Sequence, residues 1–189
     1  MTSQLKAPGF QKRALPLSVA AWHGMIRDNL APARAELIRG VIIEKMSKSI
    51  IHSQISSRMV QIFNDALHKT HWVRKEDPLT FADSEPEPDV SVVAGRLEDY
   101  RANPATAALA VEVSVTTLAD DREMAEIYAE AGVEEYWIVN VPARCIEVHR
   151  QPGPAGYASV ESIAAGQSVQ CASLPVSVDV AALFAGLAD

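Results

Sequence analysis

The sequence predicts an α/β fold, a mixed β-sheet flanked by α-helices. Three observations lead there. The segment ALAVEVSV (108–115) is apolar at nearly every position, which marks a central strand covered on both faces. Residues 50–69, and the stretch from Met124 to Ala131, instead space their apolar side chains three and four apart, as an amphipathic helix does. Short strand-like runs surround them, bounded by Gly, Pro, Asn and Asp.

Element by element, Ser18 can cap a helix over 18–29 that stops near Ala31-Pro32. AELIRGVIIEKM (35–46) places Gly40 between two apolar runs and reads as a β-hairpin. Over 50–69, Ile51, Ile55, Met59, Ile62, Phe63 and Ala66 form one stripe. WVRKE (72–76) is a strand, and the Pro- and acid-rich 77–89 is a loop or a broken edge strand. VSVVA (90–94) and ALAVEVSV follow as strands, with one helical turn possible between them. Thr116, Thr117 or Asp120 caps the next helix, whose Met124, Ile127, Tyr128 and Ala131 face the core, and Gly132 ends it. EEYWIVNV (134–141) and CIEVHR (145–150) read as a hairpin. PGPAG (152–156) turns into a strand at 157–163, and VDVAALFAGL closes the chain as a short helix.

The chain has 189 residues, 48% of them hydrophobic and 22% charged, which excludes a disordered, collagen-like or disulfide-stapled protein. A domain of this length buries about 70% of its unfolded surface. Residues 1–16 are expected to form an N-terminal arm and residues 17–189 a single domain. Apolar runs such as AALAV (107–111) are too short to span a membrane, and the first residues carry no apolar export core. The expectation is a cytoplasmic protein with no membrane partner. Cys145 and Cys171 stand alone, without metal-ligand spacing, and read as free thiols.

The net charge of −7 conceals a division. Residues 1–80 carry 12 Lys and Arg against 6 Asp and Glu, whereas residues 81–189 carry 5 against 18, with no lysine after Lys75. A chain divided in this way can hold a basic surface beside an acidic pocket, or simply solvate its helix faces.

Glu112 is the anomaly. It interrupts the most apolar strand, where an ionised carboxylate costs several kcal/mol unless it is paired or binds a metal. Alternation puts the small Ala110 and Ser114 on its face and leaves room beside it. A strand-end Glu that reaches water, or pairs with Arg, is the alternative. Asp89 follows Glu87-Pro88 and opens VSVVA, so proline directs it at a strand start. Two carboxylates at neighbouring strand ends make a hard-oxygen site suited to Mg²⁺. Glu36, in ARAELIRG, either points inward from the first strand or pairs with Arg34 or Arg39. His52, at the head of a helix, either orients a carboxylate, contacts a phosphate, or is only a polar helix start.

These pieces together resemble the Uma-two family of restriction endonucleases, a branch of the PD-(D/E)xK nuclease superfamily. The matching segments are AELIRGVIIEKMSKSIIHSQIS (35–56), EPDVSVV (87–93), AVEVSVTT (110–117), YAEAGVEEYWIVN (128–140) and LPVSVDVAALF (174–184). The resemblance implies a restriction-endonuclease-like core and a metal-dependent endonuclease that hydrolyses DNA phosphodiester bonds, with Mg²⁺ or Mn²⁺ as cofactor and a homodimer as assembly. Asp89 and Glu112 would hold the metal with the carbonyl of Val113, and Glu36 would be a helper carboxylate. The superfamily's lysine, two residues after the Glu, is here Ser114. In relatives that carry it on the next helix, four residues before the tyrosine, the position is Met124. Arg122, Lys45 and Lys48 are the cations that remain. The loss leaves a second reading open, an impaired nuclease fold that binds nucleic acid or protein, and a third, an unrelated small-molecule enzyme or structural domain.

Overall fold

The structure is a computed structural model that describes residues 15–187; all of the expected arm except Leu15 and Pro16 falls outside them. Six strands form one sheet in the order β3 (His71–Arg74), β4 (Val90–Ala94), β5 (Leu109–Ser114), β6 (Glu135–Asn140), β7 (Cys145–Gly153), β8 (Gly156–Ala164). Only β5 and β6 run parallel; the other neighbours are antiparallel. A parallel pair needs a crossover, supplied by α3 (Leu118–Glu130). The most apolar strand lies inside the sheet, as its composition requires.

Alternation along β5 divides the core. Val111 and Val113 face α2 (Ile50–Leu67), where Ile55, Met59, Phe63 and Leu67 pack with Trp137 and Val139. Ala110 faces α3, where Ala125, Ile127 and Tyr128 pack with Tyr136 and Ile138. Glu112 shares that second face. Its strand direction and the opposite direction of β4 bring the end of β5 beside the start of β4.

The predicted elements recur with specific changes. The first helix, α1 (Val19–Arg27), is capped by the Ser18 hydroxyl, which accepts from the Ala21 amide at 3.2 Å. Along α2 the buried line runs through His52, Ile55, Ser56, Met59, Phe63 and Leu67, so Ala66 is exposed rather than buried. Leu67 offers more apolar area than Ala66 and takes the core position. The loop over 77–89 carries one bridge, Leu37 with Glu85. Two short strands, β9 (Ser168–Gln170) and β10 (Ser177–Asp179), form a hairpin that the sequence pattern did not predict. Each buries a single side chain, Val169 or Val178, which is too few to show alternation. The closing helix α4 (Val180–Phe184) is shorter than expected, because Asp179 ends β10 and caps the helix through the Ala182 amide.

The N-terminal hairpin, β1 (Ala35–Ile38) and β2 (Val41–Glu44), stands apart from the sheet. Arg39 and Gly40 join its strands with φ of 51° and 71°, a two-residue turn with both residues left-handed. The Gly40 amide donates to Asp83 O, and its carbonyl accepts from the Leu17 amide, each at 2.9 Å. A Cβ on Gly40 would lie 2.9 Å from the Leu17 carbonyl oxygen. Gly40→Ala is therefore expected to destabilise the protein by about 1–3 kcal/mol. Thermal unfolding checks this, and a variant that melts with the natural chain refutes the account.

Candidate active site

Carrying the β4–β5 register one residue beyond Val90 and Val111 sets Asp89 opposite Glu112. The two are tied directly. The Asp89 amide donates to Glu112 Oε2 at 3.2 Å, and Asp89 Oδ2 accepts from the Val113 amide at 2.8 Å. β4 ends its pairing at Val111, so the Val113 amide has no strand partner on that side and the Asp89 carboxylate takes its place.

Four other segments converge on this pair. From α2, His52 donates through Nε2 to Asp89 Oδ2 at 2.8 Å, while its buried Nδ1 has no partner. Ser49 fixes that turn by accepting from the His52 amide at 3.3 Å. The loop before α2 brings Lys48 Nζ to 3.0 Å from Asp89 Oδ1 and 3.0 Å from Glu76 Oε1. On α3, Tyr128 donates its hydroxyl to Glu112 Oε1 at 2.9 Å. Glu36 arrives on the hairpin and accepts from the Glu87 amide at 3.1 Å. Ion pairs from Arg39 to Glu130 (2.5 Å) and from Lys45 to Glu87 (2.6 Å) hold that hairpin against the core. A cleft of about 870 Å³ lies between the hairpin, the start of α2 and the start of α3.

The carboxyl groups perturb one another. Burial, then the charges of Asp89, Asp121 and Glu36, push the Glu112 carboxyl well above the usual carboxylate range. Glu36 and Asp121 are also raised, chiefly by burial. Asp89 goes the other way: burial opposes its charge, but His52, Lys48 and the Val113 amide outweigh it and hold its pKa down. Lys48 is raised, because the attraction of Asp89 and Glu76 exceeds the cost of its burial. One carboxylate is thus firmly ionised while its neighbour resists ionisation.

Asp89, Glu112, Val113, Glu36 and His52 all come together as the sequence reading grouped them. Arg122 does not reach the carboxylates; it grips Glu147 on β7 with two bonds, of 2.9 and 2.6 Å. Met124 lines the cleft and packs partly into the α3-side core. Lys45 is engaged with Glu87, which leaves Lys48 as the lysine at Asp89. Two residues escaped the sequence reading. Tyr128 carried only a core-stripe signal, and Asp121 sat in an acidic first turn where helix capping accounts for it.

Oxygen-rich chemistry of this kind fits a divalent cation: two hard carboxylates, mutual repulsion, and an open cleft beside them. Among the described residues no three His, Cys, Asp or Glu side chains stand as a ready-made cage.

A mixed sheet whose parallel pair ends in a carboxylate cleft is the architecture of a nuclease-fold protein, and comparison supports that class. The Uma2 (Uma-two) family model, described as "Putative restriction endonuclease", matches residues 25–182, and the chain belongs to this family. Among solved structures it is similar to "a putative nuclease belonging to DUF820" from Anabaena variabilis, determined at 1.96 Å resolution. The TM-score is 0.69 and the identity 20%, over 79% of this chain and 89% of that one, so the two share a fold. No curated protein matches the chain.

The raised Glu112 pKa carries a stability consequence. The folded state holds this proton to higher pH than the unfolded chain does, so stability falls as pH rises from the ordinary carboxyl range through the folded pKa. In metal-free buffer Glu112→Gln is expected to melt several degrees higher than the natural chain at neutral pH, and level with it in acid. Equal melting at neutral pH would mean that Glu112 is not strained by its neighbours.

Proposed function

We propose that the protein is a metal-dependent endonuclease that hydrolyses phosphodiester bonds of DNA. The observation that carries this is the Asp89–Glu112 pair, locked together at the floor of a cleft with the Lys48 ammonium at 3.0 Å. Asp89 and Glu112 would hold Mg²⁺ or Mn²⁺. The N–H and C=O of a strand residue leave on the same side, so the Val113 carbonyl faces the edge where Asp89 lies and is the third donor. Such an ion, when bound, acidifies a coordinated water and neutralises a phosphoryl oxygen.

The chain's own groups divide the remaining work. His52 fixes the rotamer of Asp89, and Tyr128 fixes that of Glu112. Glu36, which lines the cleft from the hairpin, accepts a proton from the attacking water. Lys48 supplies the positive charge that the family's lysine supplies elsewhere, since Met124 cannot. Its ammonium stabilises the negative charge that grows on the phosphoryl oxygens. In the net reaction a water oxygen bonds to phosphorus, one ester P–O bond breaks, the departing oxygen takes a proton from solvent, and Glu36 returns the proton it accepted to solvent.

A second reading, a nuclease fold retained for binding, is favoured by Met124 alone.

Supercoiled plasmid in Mg²⁺ or Mn²⁺ tests the proposal. The natural chain is expected to cut, Asp89→Ala to be inactive, and Lys48→Met to be slower by about 10²–10³-fold. Met124→Lys in the Lys48→Met background is expected to regain part of the loss. Cutting only by chains that carry Met124→Lys would establish the binding-module reading instead. Independently of cleavage, Mn²⁺ is expected to raise the melting temperature of the natural chain and not that of Asp89→Ala.

A further inference from the structure

Lys48 and Ser49 belong to two hollows. One is the cleft; the other is a shallow groove of about 510 Å³ that continues along the outer face of α2. Ser49, Ser53 and Ser57 recur four residues apart on that face, all exposed, and Lys75 Nζ donates to Ser57 Oγ at 3.1 Å at its far end. We propose that this face, from Lys48 to Ser57 with Lys75 beside it, is the track that binds the sugar–phosphate backbone of a nucleic-acid strand and leads it to the cleft. The delivery step rests on the nuclease reading; the binding does not.

Charge complementarity identifies the occupant. Three cations, Lys48, Arg58 and Lys75, border the track, within a segment (45–75) that contains six Lys and Arg and one acid, Asp65, in a chain whose net charge is −7. Two carboxylates meet the lysines of the track: Glu76, at 3.0 Å from Lys48 and 4.0 Å from Lys75, and Asp89, at 3.0 Å from Lys48 where the track enters the cleft. Hydroxyls between cations suit phosphate oxygens, which accept from both. An apolar contact is also present, since Ile50 lines the groove and is 80% exposed, where a sugar or base would rest. Eight residues of helix span about 12 Å, the length of three to four phosphates along one strand. An acidic peptide would match the charge but not this spacing of hydroxyls, so nucleic acid is the occupant argued for.

The test is fluorescence anisotropy with labelled single-stranded and duplex DNA, in EDTA so that no cleavage occurs. Ser53→Glu and Lys75→Ala alter exposed positions outside the proposed catalytic groups. Ser162→Glu, on the β8 edge at the other side of the sheet, adds the same charge elsewhere. The expected result is about ten-fold weaker binding for Ser53→Glu, a salt-dependence slope smaller by about one for Lys75→Ala, and no change for Ser162→Glu. Binding that is unaffected by Ser53→Glu and Lys75→Ala, or weakened equally by Ser162→Glu, overturns the track. If the natural chain also cuts plasmid in that case, the nuclease reading stands without it. Track-dependent binding with no cleavage has the opposite meaning: the track holds and the nuclease reading fails. Preference for one form of DNA shows which form the track carries.

Discussion

Repulsion between buried carboxylates is the constraint around which the molecule is arranged. Glu112 sits in the strand that the core most needs to be apolar, and Asp89 is placed opposite it by the sheet register. The surrounding elements answer that arrangement. An amide from β5, an imidazole from α2 and an ammonium from the preceding loop all donate to Asp89, while α3 contributes a phenol to Glu112. The stabilisation is unequal by construction, so Asp89 keeps its charge and Glu112 resists its own. A fold selected for stability alone would replace Glu112 with an aliphatic residue. That unrelieved repulsion is what the proposed metal site would use.

Position matters as much as identity. Because β5 and β6 are parallel and α3 crosses between them, the end of β5 and the start of α3 meet at one rim of the sheet, and β4 begins there. The hairpin closes that rim from the other side. It is held by a tight left-handed turn, by the bridge of Leu37 to Glu85 and by ion pairs to Glu130 and Glu87, rather than by the sheet's own ladder. The cleft is consequently walled by two bodies with different attachments, one hydrogen-bonded into the sheet and one clamped onto it.

Much of this was legible in the sequence. The two long helices follow from periodicity, the central strand from its nearly continuous apolar run, and the N-terminal hairpin from Gly40 between two short apolar runs. The β9–β10 hairpin left no such trace, since Val169 and Val178 are single buried residues in three-residue strands. Glu112 and Asp89 stood out because a carboxylate in an apolar strand and a carboxylate after proline are conspicuous. Tyr128 did not, because a tyrosine on a core stripe looks like any other apolar residue until its hydroxyl is traced. Lys48 could be named only as one cation among several; nothing in linear order says which lysine a loop will fold back onto Asp89. Arg122 looked as suitable and is occupied by Glu147.

The division of charge along the chain also orders the molecule in time. Synthesis delivers the basic segment, with Lys48, α2 and Lys75, before Asp89, and Glu112 comes later still. The parallel partner that fixes Glu112, β6, follows only after the whole of α3. A nascent chain thus displays its cationic half while its acidic half is still being translated. Assembly of the cleft waits on a long-range pairing that no short fragment can make, which keeps the finished arrangement a property of the completed fold.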